Sequence, residues 1–371
     1  MDYLMAHTTE QLIALGGDFN EEIHRELNRT FAALSEQCNI YGPAYSACVD
    51  TAFQALRGGK LVRPRMVLSL YHGMAPASSD NHEQVLQIAV ATELLHFSFL
   101  IHDDVIDGDL HRRGKLNFIG QILSQRDPEN FSHRGPDPEH LAWAQANGIL
   151  MGDLFLSATH QIFARLDLPH AQRIRLLDLL EQTINDSVAG EFLDVGLSHK
   201  AITSQMSTAL EMSRLKTATY TFELPLRAAA ILSGLSKEDE LKVGDIGKAL
   251  GTAYQLQDDY LSTFGQAAEH GKDAFSDLRE GKETTIISFA RKTPLWPDIE
   301  VDFGKNDLSP SQGEGIKRLL EDCGAKDFSH TMIHQHLEEC REAIRALHTS
   351  MPAVVLDLLL HQVDQLATRR S

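Results

Sequence analysis

The chain has 371 residues, of which 43% are hydrophobic and 23% charged, and its formal net charge is −18. These are ordinary globular proportions, with enough apolar residues for a sizeable core. The acidic excess argues against non-specific nucleic-acid binding, which needs a basic face, so any anionic ligand must be met by a local basic cluster.

The opening stretch MDYLMAHTTEQ has neither the basic n-region nor the apolar h-region of a signal peptide. No apolar run is expected to be long enough to span a bilayer, so stable membrane insertion is not expected. Cys38, Cys48, Cys323 and Cys340 form no CxxC pair. That pattern fits reduced thiols and a cytoplasmic protein.

Residues 21–37, EEIHRELNRTFAALSEQ, space their apolar side chains three and four apart, which predicts an amphipathic helix. RGGKLVRP follows at 57–64. Its glycines free the backbone, and Lys60 and Arg63 lie three apart. The GxxxxGK[ST] pattern is absent, so this is no P-loop. It is a small basic cluster suited to a diphosphate held without metal.

Helical spacing returns over 82–104 and runs into LIHDDVIDGDLHRRG at 100–114. On a helix, Asp103 and Asp107 stand one turn apart on one face, with Asp104 at the shoulder. Such a group is either a solvated acidic helix end or a site for a hard divalent cation such as Mg2+, which takes oxygen ligands. His96 lies two turns before the group, and His102 reads as structural. Arg112 and Arg113 add fixed charges with bidentate geometry for phosphate. The polar stretch 124–140 reads as a surface connection, with a mobile flap as the other reading.

Helices are also predicted over 172–195 and 244–265. The second ends in a further carboxylate pair, Asp258 and Asp259, followed by Lys272, Asp273, Asp277 and Lys282. Two Asp pairs on separate helices suit a site that binds several metal ions bridging a polyphosphate, as inward-facing side chains do in helical bundles. The stretch 291–315 reads as another surface loop. No strand alternation, repeat or linker is evident. The chain therefore reads as one all-α domain spanning 1–371, with its motifs between about 50 and 290.

These motifs together resemble the trans-isoprenyl diphosphate synthases, or polyprenyl synthetases, and most of all their bacterial geranylgeranyl-producing members. DDxxD is Asp103 to Asp107, followed by Arg112-Arg113-Gly114. GGKxxRP is Gly58 to Pro64. The Lys-Thr pair is Lys216-Thr217, FQxxDDxxD is YQLQDDYLS, and GKxxGxDLxxGKxT is GKDAFSDLREGKET.

The resemblance implies an isoprenoid-synthase-type helical bundle around a deep central cavity, usually a homodimer. It implies head-to-tail condensation of isopentenyl diphosphate with dimethylallyl, geranyl or farnesyl diphosphate. Three Mg2+ ions per site are implied, with Mn2+ as a substitute. Carried over, Asp103, Asp107 and Asp258 are metal ligands, supported by Asp104 and Asp259. Arg112, Lys216, Lys272 and Lys282 bind the allylic diphosphate. Lys60, Arg63, His96 and Arg113 bind isopentenyl diphosphate. Lys216, Thr217 and Gln255 are the catalytic residues, with Thr217 and Gln255 presenting oxygens toward the developing cation.

Chain length falls to Phe99, one turn before Asp103, with the small Ser98 beside it and Leu95 a turn deeper. An aromatic with a small neighbour predicts a C20 product, geranylgeranyl diphosphate, with C15 as the alternative. A terpene cyclase would not need a second diphosphate site. A non-catalytic partner subunit should have lost its aspartates, and this chain keeps five of six. Three departures stand out: Ser262 replaces the last Asp of the second motif, Phe275 a glycine and Glu191 a glutamine.

Overall fold

The computed structural model describes residues 9–57, 59–75, 81–112, 114–126, 137–265, 275–305 and 307–369, with residues 9–18 described by backbone alone. Its backbone contacts divide these into two compact units, residues 10–177 and 178–369. Both units are helical.

The first unit contains α1 (Thr9–Cys38), α2 (Pro43–Leu56), α3 (Val62–Met74) and α4 (His82–Asp107). A short antiparallel hairpin follows, β1 (His111–Arg112) and β2 (Lys115–Leu116), then α5 (Phe118–Arg126) and α6 (Pro138–Arg165). The unit ends within α7 (His170–Ser198). Ile23, Leu27 and Phe31 are buried at four-residue spacing, as an amphipathic helix requires. Phe53 joins α2 to this core, with ring centroids 4.0 Å from Phe31 and 5.6 Å from Phe155. Phe97 of α4 meets Phe155 at 5.4 Å.

The length of α4 corrects one expectation. Residues 82–107 are long and apolar enough to cross a membrane, yet 67% of their most apolar window is buried inside the protein. Val85, Ile88, Ala89, Leu94 and Leu95 are fully covered. A helix that is apolar all round is what a core element looks like. His102, read as structural, lies where a side chain on Gly152 of α6 would collide with its ring.

The second unit holds the rest of α7, then α8 (Met206–Ser213), a π-helix (Arg214–Glu223), α9 (Leu224–Leu232) and α10 (Lys237–Phe264). The short helices α11 (Ser276–Glu280), α12 (Thr285–Ala290) and α13 (Trp296–Glu300) precede α14 (Pro310–Asp322), α15 (Ala325–Ala346) and α16 (Ala353–Ala367). Ser236 caps α10 by accepting from Asp239 N at 3.1 Å, and Ser309 with Gln312 forms a capping box on α14.

The stretch 291–315 is not the surface loop its composition suggests. It contains α13 and the start of α14, and Trp296, Ile299 and Leu308 belong to a buried cluster with Phe264, Leu278 and Ile286. Arg291 stacks over Trp296 at 4.1 Å while binding Glu283 through two nitrogens at 2.9 to 3.0 Å. A few buried apolar side chains outweigh the polar residues between them.

Candidate active site

In the first unit α4 delivers Asp103, Asp104 and Asp107 at its C-terminal end. Gly108 stops the helix in the left-handed region at φ +73°. The hairpin turns the chain back, pairing Arg112 with Lys115, and Gly114 supplies φ +71°. Asn117 ties the hairpin down by donating to Asp109 O at 2.8 Å. Arg112 therefore reaches back onto α4. Its Nη2 donates to Asp103 Oδ2 at 3.0 Å and to Asp104 Oδ1 at 2.6 Å, and its Nε to Asp104 Oδ1 at 3.1 Å.

One guanidinium thus draws two carboxylates together. Asp104 is buried, and burial pushes its carboxyl up to about 6 even though Arg112 opposes the shift. Burial works against the charge of Arg112, but Asp104 and Asp103 overcome it and hold its pKa above the ordinary guanidinium value. Asp103 and Asp107 are only half-buried, so they are the more accessible donors.

The basic loop lies between α2 and α3 in the same unit. Lys60 is exposed, and buried Leu61 enters α3 from the left-handed region at φ +50°. Such a conformation in a branched residue is strained. Arg63 Nη1 stands 4.0 Å from Glu93 Oε2 of α4, and both side chains are buried. The other oxygen, Glu93 Oε1, would be 3.1 Å from a side chain added at Gly59. Glu93 therefore backs the loop and Arg63 together. It escapes sequence spacing because a glutamate inside an apolar run carries no motif. His96, half-buried, is one turn further along the same helix face.

Phe99 keeps part of its surface open. Leu95 and Ser98 are fully buried, and Ser98 Oγ donates to Gly152 O at 2.8 Å.

In the second unit the π-helix presents Lys216 and Thr217. Added side chains would come within 2.2 Å of Lys216 N from Gly190 of α7, and 2.4 Å of Ala218 Cβ from Gly251 of α10. Only glycines let two helices grip the π-helix this closely. Lys216 Nζ lies 2.5 Å from Asp194 Oδ2 and 3.0 Å from Glu191 Oε2. Glu191 and Asp194 are three apart on α7, a spacing that in hindsight marks a shared face.

On α10, Gln255 Nε2 donates to buried Asp259 Oδ1 at 2.8 Å, which turns its own carbonyl oxygen away from that carboxylate. Asp258 accepts from Arg369 Nη2 at 2.9 Å. Ser262, one turn on, is half-buried. Lys282 Nζ is 3.0 Å from Glu280 Oε2. Arg113, Lys272, Asp273 and residues 127–136 of the expected surface connection lie outside the described residues.

Among the described residues, no three His, Cys, Asp or Glu side chains are gathered as a ready metal site. The residue chemistry nevertheless fits Mg2+: Asp103, Asp107 and Asp258 are half-buried and offer hard carboxylate oxygens. Two of these carboxylates already hold positive charge, Asp103 from Arg112 and Asp258 from Arg369.

Residues 45–295 match the family model "Polyprenyl synthetase". The chain is 28% identical over 355 residues to a geranylgeranyl diphosphate synthase of Methanosarcina mazei, covering 94% of this chain and 97% of that protein. It is 30% identical over 316 residues to a geranylfarnesyl diphosphate synthase of Natronomonas pharaonis, covering 81% and 84% respectively. The geranylgeranyl pyrophosphate synthase of Corynebacterium glutamicum, whose crystal structure is a complex with isoprenyl diphosphate and magnesium, aligns with a TM-score of 0.85 at 26% identity, over 95% of this chain and 99% of that one. The family model alone spans well over half of the sequence, and the helical architecture agrees with it, so this chain belongs to the polyprenyl synthetase family.

Proposed function

We propose that the protein condenses isopentenyl diphosphate head-to-tail with dimethylallyl, geranyl and farnesyl diphosphates, and stops at the C20 product, geranylgeranyl diphosphate. The observation that carries this reading is the Arg112 bridge between Asp103 and Asp104, which assembles the first aspartate motif beside a fixed phosphate-binding charge. Farnesyl diphosphate is the nearest alternative product.

Asp103, Asp107 and Asp258 would hold Mg2+, with Asp104 and Asp259 supporting. Three ions per site and replacement by Mn2+ follow from the family resemblance. When bound, Mg2+ supplies charge neutralisation for the leaving diphosphate. Arg112, Lys216, Lys272 and Lys282 bind the allylic diphosphate as monovalent charges. Lys60, Arg63, His96 and Arg113 bind isopentenyl diphosphate, and Glu93 keeps Arg63 in place.

The allylic C–O bond breaks with its electron pair leaving on the diphosphate. The π pair of isopentenyl diphosphate then forms the new C–C bond at the allylic carbon. A proton leaves the resulting tertiary cation for the departed diphosphate, which restores the double bond. Thr217 and Gln255 offer oxygens to the positive charge that exists only during this sequence. Phe99 forms the floor for the growing chain, one helical turn, roughly 5 Å, beyond Asp103.

Exposed apolar side chains support a homodimer: Trp143 and Leu150 on α6, and Val188 and Phe192 on α7. Four unpaired cysteines support a reducing, cytoplasmic setting. The test supplies labelled isopentenyl diphosphate with and without each allylic primer. Label should enter acid-labile product only when primer and Mg2+ are both present, and EDTA should abolish it. Incorporation independent of primer would contradict the reading.

A further inference from the structure

Arg369 follows α16 and makes three contacts with α10. Its Nη2 donates to Asp258 Oδ1 at 2.9 Å. Its guanidinium carbon lies 4.4 Å from the centroid of the Tyr254 ring. Its carbonyl accepts from Gln257 Nε2 at 3.0 Å. Gln257 and Asp258 lie three and four residues after Tyr254, so the anchors share one edge of the helix.

We propose that Arg369 is a positioning residue for the second carboxylate group, holding Asp258 oriented and neutralised until a divalent cation takes it. The inference rests on the reading of Asp258 as a metal ligand. A carboxylate oxygen that accepts from a guanidinium must release or share that bond before it can serve a divalent cation. The aromatic face of Tyr254 gives the guanidinium a resting place when it does, so the positive charge stays local. The two side chains are 20% and 31% exposed, so solvent screens the pair and its effect is modest. Arg369 thus lowers the affinity of the free enzyme for bare metal and favours loading in company with a diphosphate.

The experiment titrates Mn2+ into the full chain without any diphosphate, followed by electron paramagnetic resonance. Arg369→Ala should bind Mn2+ about threefold tighter than the parent protein, the factor expected for loss of a partly exposed ion pair. Arg369→Gln should behave as Arg369→Ala does, and Arg369→Lys should restore the parent affinity. Unchanged or weaker binding by both neutral variants overturns the proposal, as does a lysine variant that behaves like alanine. Asp258→Asn separates the two ideas. If it weakens Mn2+ binding while the neutral Arg369 variants change nothing, the role of Arg369 falls alone. If Asp258→Asn changes nothing, the ligand reading falls and takes this proposal with it.

Discussion

Glu191 Oε2 stands 3.0 Å from Lys216 Nζ, so this lysine is shared between two carboxylates rather than held by Asp194 alone. The glutamate in place of the family's glutamine therefore has a physical consequence. It adds a negative charge beside the lysine proposed to bind the allylic diphosphate. Glu191→Gln should lower the KM for the allylic diphosphate by about threefold and change kcat less, since the charge opposes binding of substrate and transition state alike. Steady-state kinetics with geranyl or farnesyl diphosphate will decide; an unchanged or raised KM would show that Glu191 does not compete for Lys216.

Phe275 also has an account. It occupies the left-handed region at φ +68°, which glycine adopts freely, and its ring lies where a side chain on Gly313 would come within 2.3 Å. The backbone there is one a glycine would adopt without strain, and the ring packs against the cluster around Phe264 and Leu278. Phe275→Ala should keep the strain and lose the packing, at a cost of about 2–3 kcal/mol. Phe275→Gly should be the milder change by about 1 kcal/mol, because it also removes the strain. Thermal melts of the two variants give the order directly, and alanine proving the more stable would refute the strain.

Thiol chemistry follows from burial. Cys38, Cys48 and Cys340 are buried, whereas Cys323 is half-exposed. Burial pushes the Cys48 thiol up to about 11 and the Cys340 thiol up to about 12. Burial also raises the Cys38 thiol. The thiolate is the reactive form, so native protein at mildly alkaline pH should show one fast thiol, Cys323, by a chromogenic disulfide reagent. Guanidinium should release all four. Fast reaction of Cys340 before unfolding would contradict its burial.

Of Leu95, Ser98 and Phe99, the residues proposed to set chain length, only Phe99 retains open surface. Phe99→Ala should lengthen the main product by about one isoprene unit, because one helical turn, roughly 5 Å, opens beneath the growing chain. Chromatography of the dephosphorylated alcohols measures this, and products no longer than those of the parent enzyme would remove Phe99 as a floor.

Most of the helical framework was legible from apolar spacing. The expected helices at 21–37, 82–104 and 172–195 fall within α1, α4 and α7, and the one at 244–265 overruns the end of α10 by a single residue, Gly265. The hairpin that aims Arg112 was not, since two-residue strands leave no alternation to read. The π-helix was hidden for a similar reason: its register depends on tertiary fit, on the close approach of Gly190 and Gly251. Trp296 and Ile299 were lost among polar neighbours. The motif residues could be recognised by type and order. Their partners could not, because Arg369 is 111 residues from Asp258 and the pairing exists only in the folded second unit. Glu93 and Asp194 needed the lysine and arginine they face before either had a role.

The measurement that tests the central claim most directly is the mass of the product. The purified 371-residue chain with Mg2+, isopentenyl diphosphate and dimethylallyl, geranyl or farnesyl diphosphate in turn should give, after dephosphorylation, a dominant C20 all-trans alcohol from every primer. Folded protein that elongates none of the three would contradict the synthase reading.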